Sequence, residues 1–296
     1  MGLGRTGTAT LAGVLAVVIS PAPAPAPAQV AGPLCGASFL PESPNETYQQ
    51  AFERVNGYYR LESVRVFYTL PKPWPGKVDA GRRPLTVSFK AAPKDILAGR
   101  HDAHFRTWFA DAPRDVDVNW TYFHEPEDNI ARGEFTAADY RAAWRYLHRL
   151  AAAAGNPRLH PTLILMDWTV DPRSQRNWRD YYPGDAYVEV LAWDAYNQVT
   201  GVTRRYRPAE EIFGRVVAVS RDAGKPFAIA ETGSAIAEGD DGRGRAAWLR
   251  QVTDYLTRHG ARWVQYFDID FRAQGHSDYR LRDAASQRAW REFCAR

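Results

Sequence analysis

The sequence predicts a (β/α)8 barrel, and three observations lead there. Short, β-rich apolar runs alternate with helical patterns along nearly the whole chain, which is the signature of parallel β-α units. Eight such runs can be placed, each nearly continuous in apolar character, as strands covered on both faces require. Residues 29–296, which follow an N-terminal leader, are close to the roughly 250 residues over which such barrels close.

The leader comes first in order. Arg5 precedes an apolar run over 10–19, and a small-residue, proline-spaced stretch then ends in Ala26-Pro27-Ala28. That run is too short to span a membrane and reads as an export signal cut after Ala28. The expected organisation is therefore a signal peptide over 1–28 and one catalytic domain over 29–296, secreted to the outside of the cell and acting as a monomer. No Gly/Ser/Pro linker interrupts the chain after residue 33.

The strands are expected at 34–39, 63–68, 85–89, 116–124, 162–167, 188–193, 227–231 and 263–267. Helix signals fall between several of them. Thr136 can cap a helix that runs to 154 and stops at Gly155, and Pro208 occupies a first-turn position before a helix ending at Gly224. A third helix runs over 245–259 and stops at Gly260. The connection between the second and third strands is different. Residues 69–84 carry Pro71, Pro73 and Pro75 and two glycines, so an ordinary crossover helix does not fit. Either a loop replaces that barrel helix, or the third strand lies elsewhere.

With 45% hydrophobic and 24% charged residues the chain can build a packed core. Its net charge of +4 is spread over arginines interspersed with Asp and Glu. That pattern describes a solvated surface, and neither a nucleic-acid groove nor a membrane-binding face is expected. Cys35 and Cys294 are the two cysteines. In an exported chain they are expected to pair, the alternative being two thiols buried separately.

Active sites of such barrels lie at the C-terminal ends of the strands, so the residues that close each run are the ones to inspect. They are unusually polar here: Tyr68, Lys90, His124-Glu125-Pro126-Glu127, Asp167-Trp168, Trp193-Asp194-Ala195-Tyr196-Asn197, Glu231 and Asp268. Glu125 and Glu231 stand at the ends of the fourth and seventh strands, on opposite walls of one mouth. Cleavage of a glycosidic bond needs such a pair, one carboxylic acid to protonate the leaving oxygen and one carboxylate facing the anomeric carbon.

The His-Glu that closes strand four, the Ala-Glu that closes strand seven, and the stretch Tyr182-Pro183-Gly184-Asp185 with Trp193-Asp194-Ala195-Tyr196-Asn197 resemble the retaining (β/α)8 glycosidases of clan A. Within that clan they resemble glycoside hydrolase family 26, which has His before the acid/base, as at His124. The resemblance implies Glu125 as acid/base, Glu231 as nucleophile and Tyr196 as the tyrosine near the nucleophile. It also implies a polysaccharide substrate, with β-mannan or β-glucan ahead of xylan, an endo mode, and no cofactor. One motif departs from the family's mannanases: they follow His-Glu with Gly and a tryptophan-rich stretch, whereas this chain continues Pro126-Glu127-Asp128-Asn129.

Sugar rings stack on aromatic faces, so Trp168, Trp193 and Tyr196 at strand ends and Trp74 in the proline-rich loop are candidate substrate contacts. His124 and Asp194 are candidates to hydrogen-bond sugar hydroxyls. No zinc signature accompanies His124, since the position four residues on is Asp128, and no phosphate-binding glycine loop or nucleophile elbow is present. Two other readings stay open: a catalytically inactive carbohydrate-binding barrel, and an inverting glycosidase of the same fold.

Overall fold

In the computed structural model, which describes residues 1, 2, 4 and 32–296, eight parallel strands close into a barrel in chain order. They are β1 (Leu34–Phe39), β2 (Ser63–Tyr68), β3 (Leu85–Phe89), β4 (Val118–Tyr122), β5 (Leu159–Met166), β6 (Val190–Asp194), β7 (Phe227–Thr232) and β8 (Trp263–Asp268). The expected barrel is therefore present. The first three strands occupy the expected residues, and the other five differ by a few positions at their ends. The expected export signal and its cleavage point after Ala28 lie outside the described residues.

Among the described residues the α-helices are α1 (Tyr48–Tyr59), α2 (Pro93–Leu97), α3 (Asp102–Ala110), α4 (Glu127–Ala131), α5 (Ala137–Ala153), α6 (Ala209–Asp222), α7 (Arg243–Arg258) and α8 (Ala284–Phe293). The sequence signals explain their ends. Thr136 accepts from the Asp139 backbone N–H while the Asp139 side chain accepts from the Thr136 N–H, a reciprocal cap that starts α5. Tyr140, Trp144, Leu147 and Ala151 of α5 then form one buried stripe. Trp120 of β4 stacks on Trp144 with ring centroids 5.6 Å apart, and both indoles are fully buried. Truncating an aromatic buried in this way costs about 3–5 kcal/mol.

The connection from β2 to β3 holds no helix, as its prolines require. In its place Trp74 stacks on Trp108 of α3 at 5.0 Å and donates its indole N–H to the Trp108 carbonyl. A second connection also lacks an α-helix. Between β5 and β6 the chain makes four short 3-10 turns, at Asp167–Val170, Pro172–Ser174, Trp178–Tyr181 and Asp185–Tyr187. Its prolines, Asn177 and Gly184 break any longer helical run.

Inside the barrel, small and polar residues share the space. Gly36 of β1 lies so close to its neighbours that an added Cβ would sit 2.3 Å from Ser63 Oγ. Gln265 of β8 donates to Thr86 Oγ of β3 at 3.0 Å. Cys35 and Cys294 form a disulfide with Cα atoms 5.0 Å apart, tying the start of β1 to the end of α8. Among the described residues, no helix is long and apolar enough to cross a membrane.

Candidate active site

Arg65 is the charged centre of the barrel. It sits in the middle of β2, its side chain is fully buried, and its guanidinium reaches across the interior to β7. Nη2 donates to Glu231 Oε1 at 2.7 Å and Nε donates to the same oxygen at 3.1 Å, while Nη1 donates to Ser88 Oγ of β3 at 3.0 Å. Strands β2 and β7 are not neighbours, so this contact exists only because both side chains point into the barrel. The second carboxylate oxygen of Glu231 accepts from the Tyr196 hydroxyl at 2.6 Å. Glu231 is thus held in one orientation by a cation on one oxygen and a phenol on the other. Charge-assisted hydrogen bonds of this kind are roughly twice as strong as neutral ones.

An irregularity in β7 aims Glu231. Trp193 of β6 pairs with Ile229, but the next residue, Asp194, pairs with Glu231. On the other side, Ile229 pairs with Val264 and Thr232 with Tyr266, again with one residue more on β7. A bulge of this kind turns a side chain out of the regular alternation, and such bulges occur beside active sites. Gly233 follows, where a Cβ would press on the Tyr279 and Tyr196 rings at 3.1 and 3.4 Å.

Glu125 is presented by a different device. Phe123 and Glu125, on either side of His124, both adopt left-handed backbone with φ of 50° and 51°. Non-glycine residues rarely do so, at a cost of about 1–3 kcal/mol each, and where they do the surroundings must hold them. Here the Phe123 N–H donates to the Phe89 carbonyl of β3 at 2.7 Å and the Glu125 N–H to the Ile164 carbonyl of β5 at 3.1 Å. The two neighbouring strands pin the turn from both sides. Burial pushes the Glu125 carboxyl up to about 8; the negative charges of Glu231 and Glu127 add to this, and Lys90 and Arg65 oppose it. The site therefore holds one proton-bearing and one ion-paired carboxyl.

His124 packs its ring against Phe67 at 5.4 Å, and its Nδ1 is buried without a hydrogen-bond partner. Burial, with Lys90 and Arg65 nearby, holds its pKa well below the usual histidine value, so the ring is neutral at pH 7. Tyr196 stands where the strand-end reading puts it. Its ring packs between Phe267 at 5.8 Å and Tyr279 at 5.1 Å.

Three candidate contacts fall elsewhere. Trp193 faces out of the barrel: it is fully buried and donates its indole N–H to Ser220 Oγ of α6 at 3.0 Å. Asp194, the next residue on β6, therefore faces in, but its side chain is fully buried beneath the mouth and lies 3.9 Å from Arg65. Neither of its carboxyl oxygens has a hydrogen-bond partner, and burial, with Glu231 nearby, raises its pKa well above the usual carboxylate value, which favours its protonated form. Trp74 belongs to the packing on α3 described above. Trp168, by contrast, stands 41% exposed on the turn that follows β5, with the Arg173 guanidinium 5.2 Å over its ring.

Two residues were not singled out from the sequence. Arg65 carried a usable signal, because a lone arginine inside an apolar strand is either paired or misplaced. Glu127 was noted only as part of the strand-four motif. It is fully buried, and its Oε1 accepts from the Met166 N–H at 2.9 Å and from the Thr169 hydroxyl at 2.6 Å.

Residues 115–257, which carry both glutamates, match the model of glycosyl hydrolase family 26. Solved structures with the same barrel include the catalytic domain of the family 26 endo-β-1,4-mannanase of Bacillus sp. JAMB-750, with TM-score 0.57 and 12% identity over 90% of this chain and 86% of that one. The family 26 β-mannanase of Bacteroides ovatus aligns with TM-score 0.57 and 14% identity, covering 88% of each chain. A modular endo-β-1,4-mannanase of Cellulomonas fimi aligns with TM-score 0.55 and 16% identity over 90% of this chain and 71% of that one. No curated protein sequence matches this chain. The chain is a glycoside hydrolase whose residues 115–257 match glycosyl hydrolase family 26.

Proposed function

We propose that the protein is a secreted, endo-acting, retaining hydrolase of a β-linked polysaccharide, with Glu231 as nucleophile and Glu125 as acid/base. The observation that carries this reading is the asymmetry of the two carboxyls. Glu231 is ion-paired to Arg65 at 2.7 Å and bonded to Tyr196 at 2.6 Å, whereas Glu125 is partly exposed, in a site whose desolvation favours its protonated form.

In the first step Glu125 gives its proton to the glycosidic oxygen as that bond breaks, while a Glu231 oxygen bonds to the anomeric carbon. Glycosylation removes the negative charge of Glu231, one of the influences that keep Glu125 protonated. Glu125, now a carboxylate, takes a proton from water as the water oxygen attacks the anomeric carbon and Glu231 leaves as carboxylate. Two inversions give net retention. Mannan is the first polymer to test because the solved relatives named above are mannanases, with β-glucan and xylan after it. The disulfide and the leader support secretion, since disulfides persist in oxidising compartments.

The test is a pair of variants. Glu231→Ala loses nearly all turnover, while Glu125→Ala still cleaves an activated aryl glycoside whose leaving group needs no proton, and azide then yields a β-glycosyl azide. A first product of inverted configuration, or substantial polysaccharide cleavage by Glu231→Ala, would overturn the scheme.

A further inference from the structure

The turn that presents Glu125 continues directly into a second buried glutamate with no part in the scheme above. Glu127 begins α4, two residues past the left-handed Glu125, and none of its surface is exposed. It bonds forward to another wall of the barrel: the Met166 N–H at the end of β5 and the Thr169 hydroxyl on the turn beyond both donate to Oε1. Oε2 is buried without a partner, and so is Nη1 of Arg176. Arg176 spends its other nitrogen, Nη2, on Asp128. A carboxyl that only fastened two loops together would be served as well by an uncharged amide. Glu127 is instead an ionisable group two residues from Glu125.

We infer that Glu127 is a positioning residue for the acid/base: it ties the strained Glu125 turn to the end of β5 and places beside Glu125 a negative charge that favours retention of its proton. This rests on the reading of Glu125 as the acid.

The surroundings make that charge conditional. Besides Glu125, the groups that act on Glu127 or feel it are Tyr140 of α5, Arg176 and Tyr181 of the β5–β6 connection, and Asp194 of β6. Burial raises the Glu127 carboxyl to about 7, against the pull of the Thr169 and Met166 hydrogen bonds and of Arg176. Glu125 is raised further, to about 8. Once Glu127 is ionised, its charge resists the loss of the proton from Glu125. Mutual repulsion thus carries the acid form of Glu125 to higher pH than burial alone.

The experiment is the pH profile of kcat/KM on polysaccharide for wild type, Glu127→Gln and Thr169→Val. The glutamine keeps an oxygen for Met166 and Thr169 and removes the charge, so the alkaline limb moves to lower pH by about half a unit or more. Thr169→Val removes one hydrogen bond to the ionised form, so Glu127 stays neutral to higher pH and the limb moves the same way by less. With an activated aryl glycoside, whose cleavage needs no proton, the limb of both variants coincides with that of wild type. A profile that only drops in height, with an unmoved limb in both variants, would show a purely structural role and overturn the inference. Failure of the Glu125 reading itself would appear separately, as loss of aryl glycoside cleavage in Glu125→Ala.

Discussion

Arg65 Nη2 and Glu231 Oε1 meet at 2.7 Å in the barrel interior, joining β2 to β7. An ionised glutamate so deeply placed depends on this partner, because removing one member of a buried pair leaves the other charge uncompensated, at about 3–5 kcal/mol. Arg65→Met is therefore expected to lower both the thermal midpoint and kcat/KM, the latter by about 100-fold or more. Arg65→Lys keeps the charge but cannot donate from two nitrogens to Glu231 and from a third to Ser88 at once, so it recovers only part of either loss. Steady-state kinetics on polysaccharide beside thermal denaturation check this; normal activity in Arg65→Met would remove Arg65 from the site.

Tyr196→Phe isolates the hydroxyl. The ring retains its packing between Phe267 and Tyr279, so the thermal midpoint changes little, while Glu231 Oε2 loses the bond at 2.6 Å. A hydrogen bond to a charged group contributes about 1.5–3 kcal/mol. If it orients the nucleophile in the transition state, kcat falls by about ten- to a hundredfold with KM nearly unchanged. An unchanged kcat would reduce the contact to packing.

Both glutamates were legible because each closes an apolar run, and strand ends are where barrels keep their chemistry. Which way a neighbouring side chain faces was not legible to the same degree. A strand boundary misplaced by one residue exchanges inside for outside. Ending the sixth strand at Trp193 made Trp193 and Asp194 both look like mouth residues, although alternation sends Trp193 to α6 and Asp194 beneath the site. The bulge in β7 is equally hidden, since no sequence signal separates Ala230-Glu231 from a regular pair. Arg65 was visible as an anomaly but had no partner in the linear sequence, its acceptor lying 166 residues away. The missing helix after β2 was announced by three prolines, whereas the one after β5 was concealed by a longer stretch of mixed composition.

The two tryptophans once grouped as sugar contacts are expected to part. Trp193→Ala empties a fully buried site between β6 and α6 and costs about 3–5 kcal/mol. Its folded fraction should cleave at a normal rate. Trp168→Ala removes a side chain that is 41% exposed, so the thermal midpoint moves far less, while KM on polysaccharide rises if its face receives a sugar ring. Thermal denaturation and kinetics of the pair decide; a Trp168→Ala enzyme with unchanged KM and kcat would leave Trp168 a surface residue.

The disulfide should affect stability without touching catalysis. Cys35 and Cys294 close a loop with a sequence separation of 259, and in the chain-entropy model a loop of that size contributes about 5 kcal/mol, an upper figure because residual structure in the unfolded chain reduces it. The bridge joins the start of β1 to the end of α8, at the opposite end of the strands from Glu125 and Glu231. Cys294→Ser is expected to lower the thermal midpoint and leave kcat/KM of the folded enzyme unchanged. Two free thiols in unreduced, denatured protein would remove the bond.

Stability itself should depend on pH in a direction set by the site. Glu125, Glu127, Asp167 and Asp268 are all raised in the folded protein, to about 8, 7, 6 and 6, and burial is the first cause in each. A raised carboxyl binds its proton more tightly folded than unfolded. Its contribution is therefore fully present below the unfolded pKa, near 4, and is lost as pH rises through the folded value. His160, raised by its bonds to Glu189 and Asp117, adds in the same direction, because a histidine that gains partners stabilises while it is protonated. Asp171 and Asp270, lowered chiefly by Arg173 and Arg272, act oppositely, and their contribution disappears only in stronger acid. His124, lowered by burial, also acts oppositely, as pH falls below the unfolded histidine value near 6.5, but it is one group against four raised carboxyls. The thermal midpoint should accordingly peak in mild acid, at about pH 4–5, and decline steadily to pH 8. Glu127→Gln removes one of the raised carboxyls, so its decline between pH 5 and pH 8 should be shallower than that of wild type. A midpoint that climbs from pH 5 to pH 8 in wild type would mean that these acids are ionised in the folded protein, and the assignment of Glu125 as the proton-bearing partner would lose its physical basis.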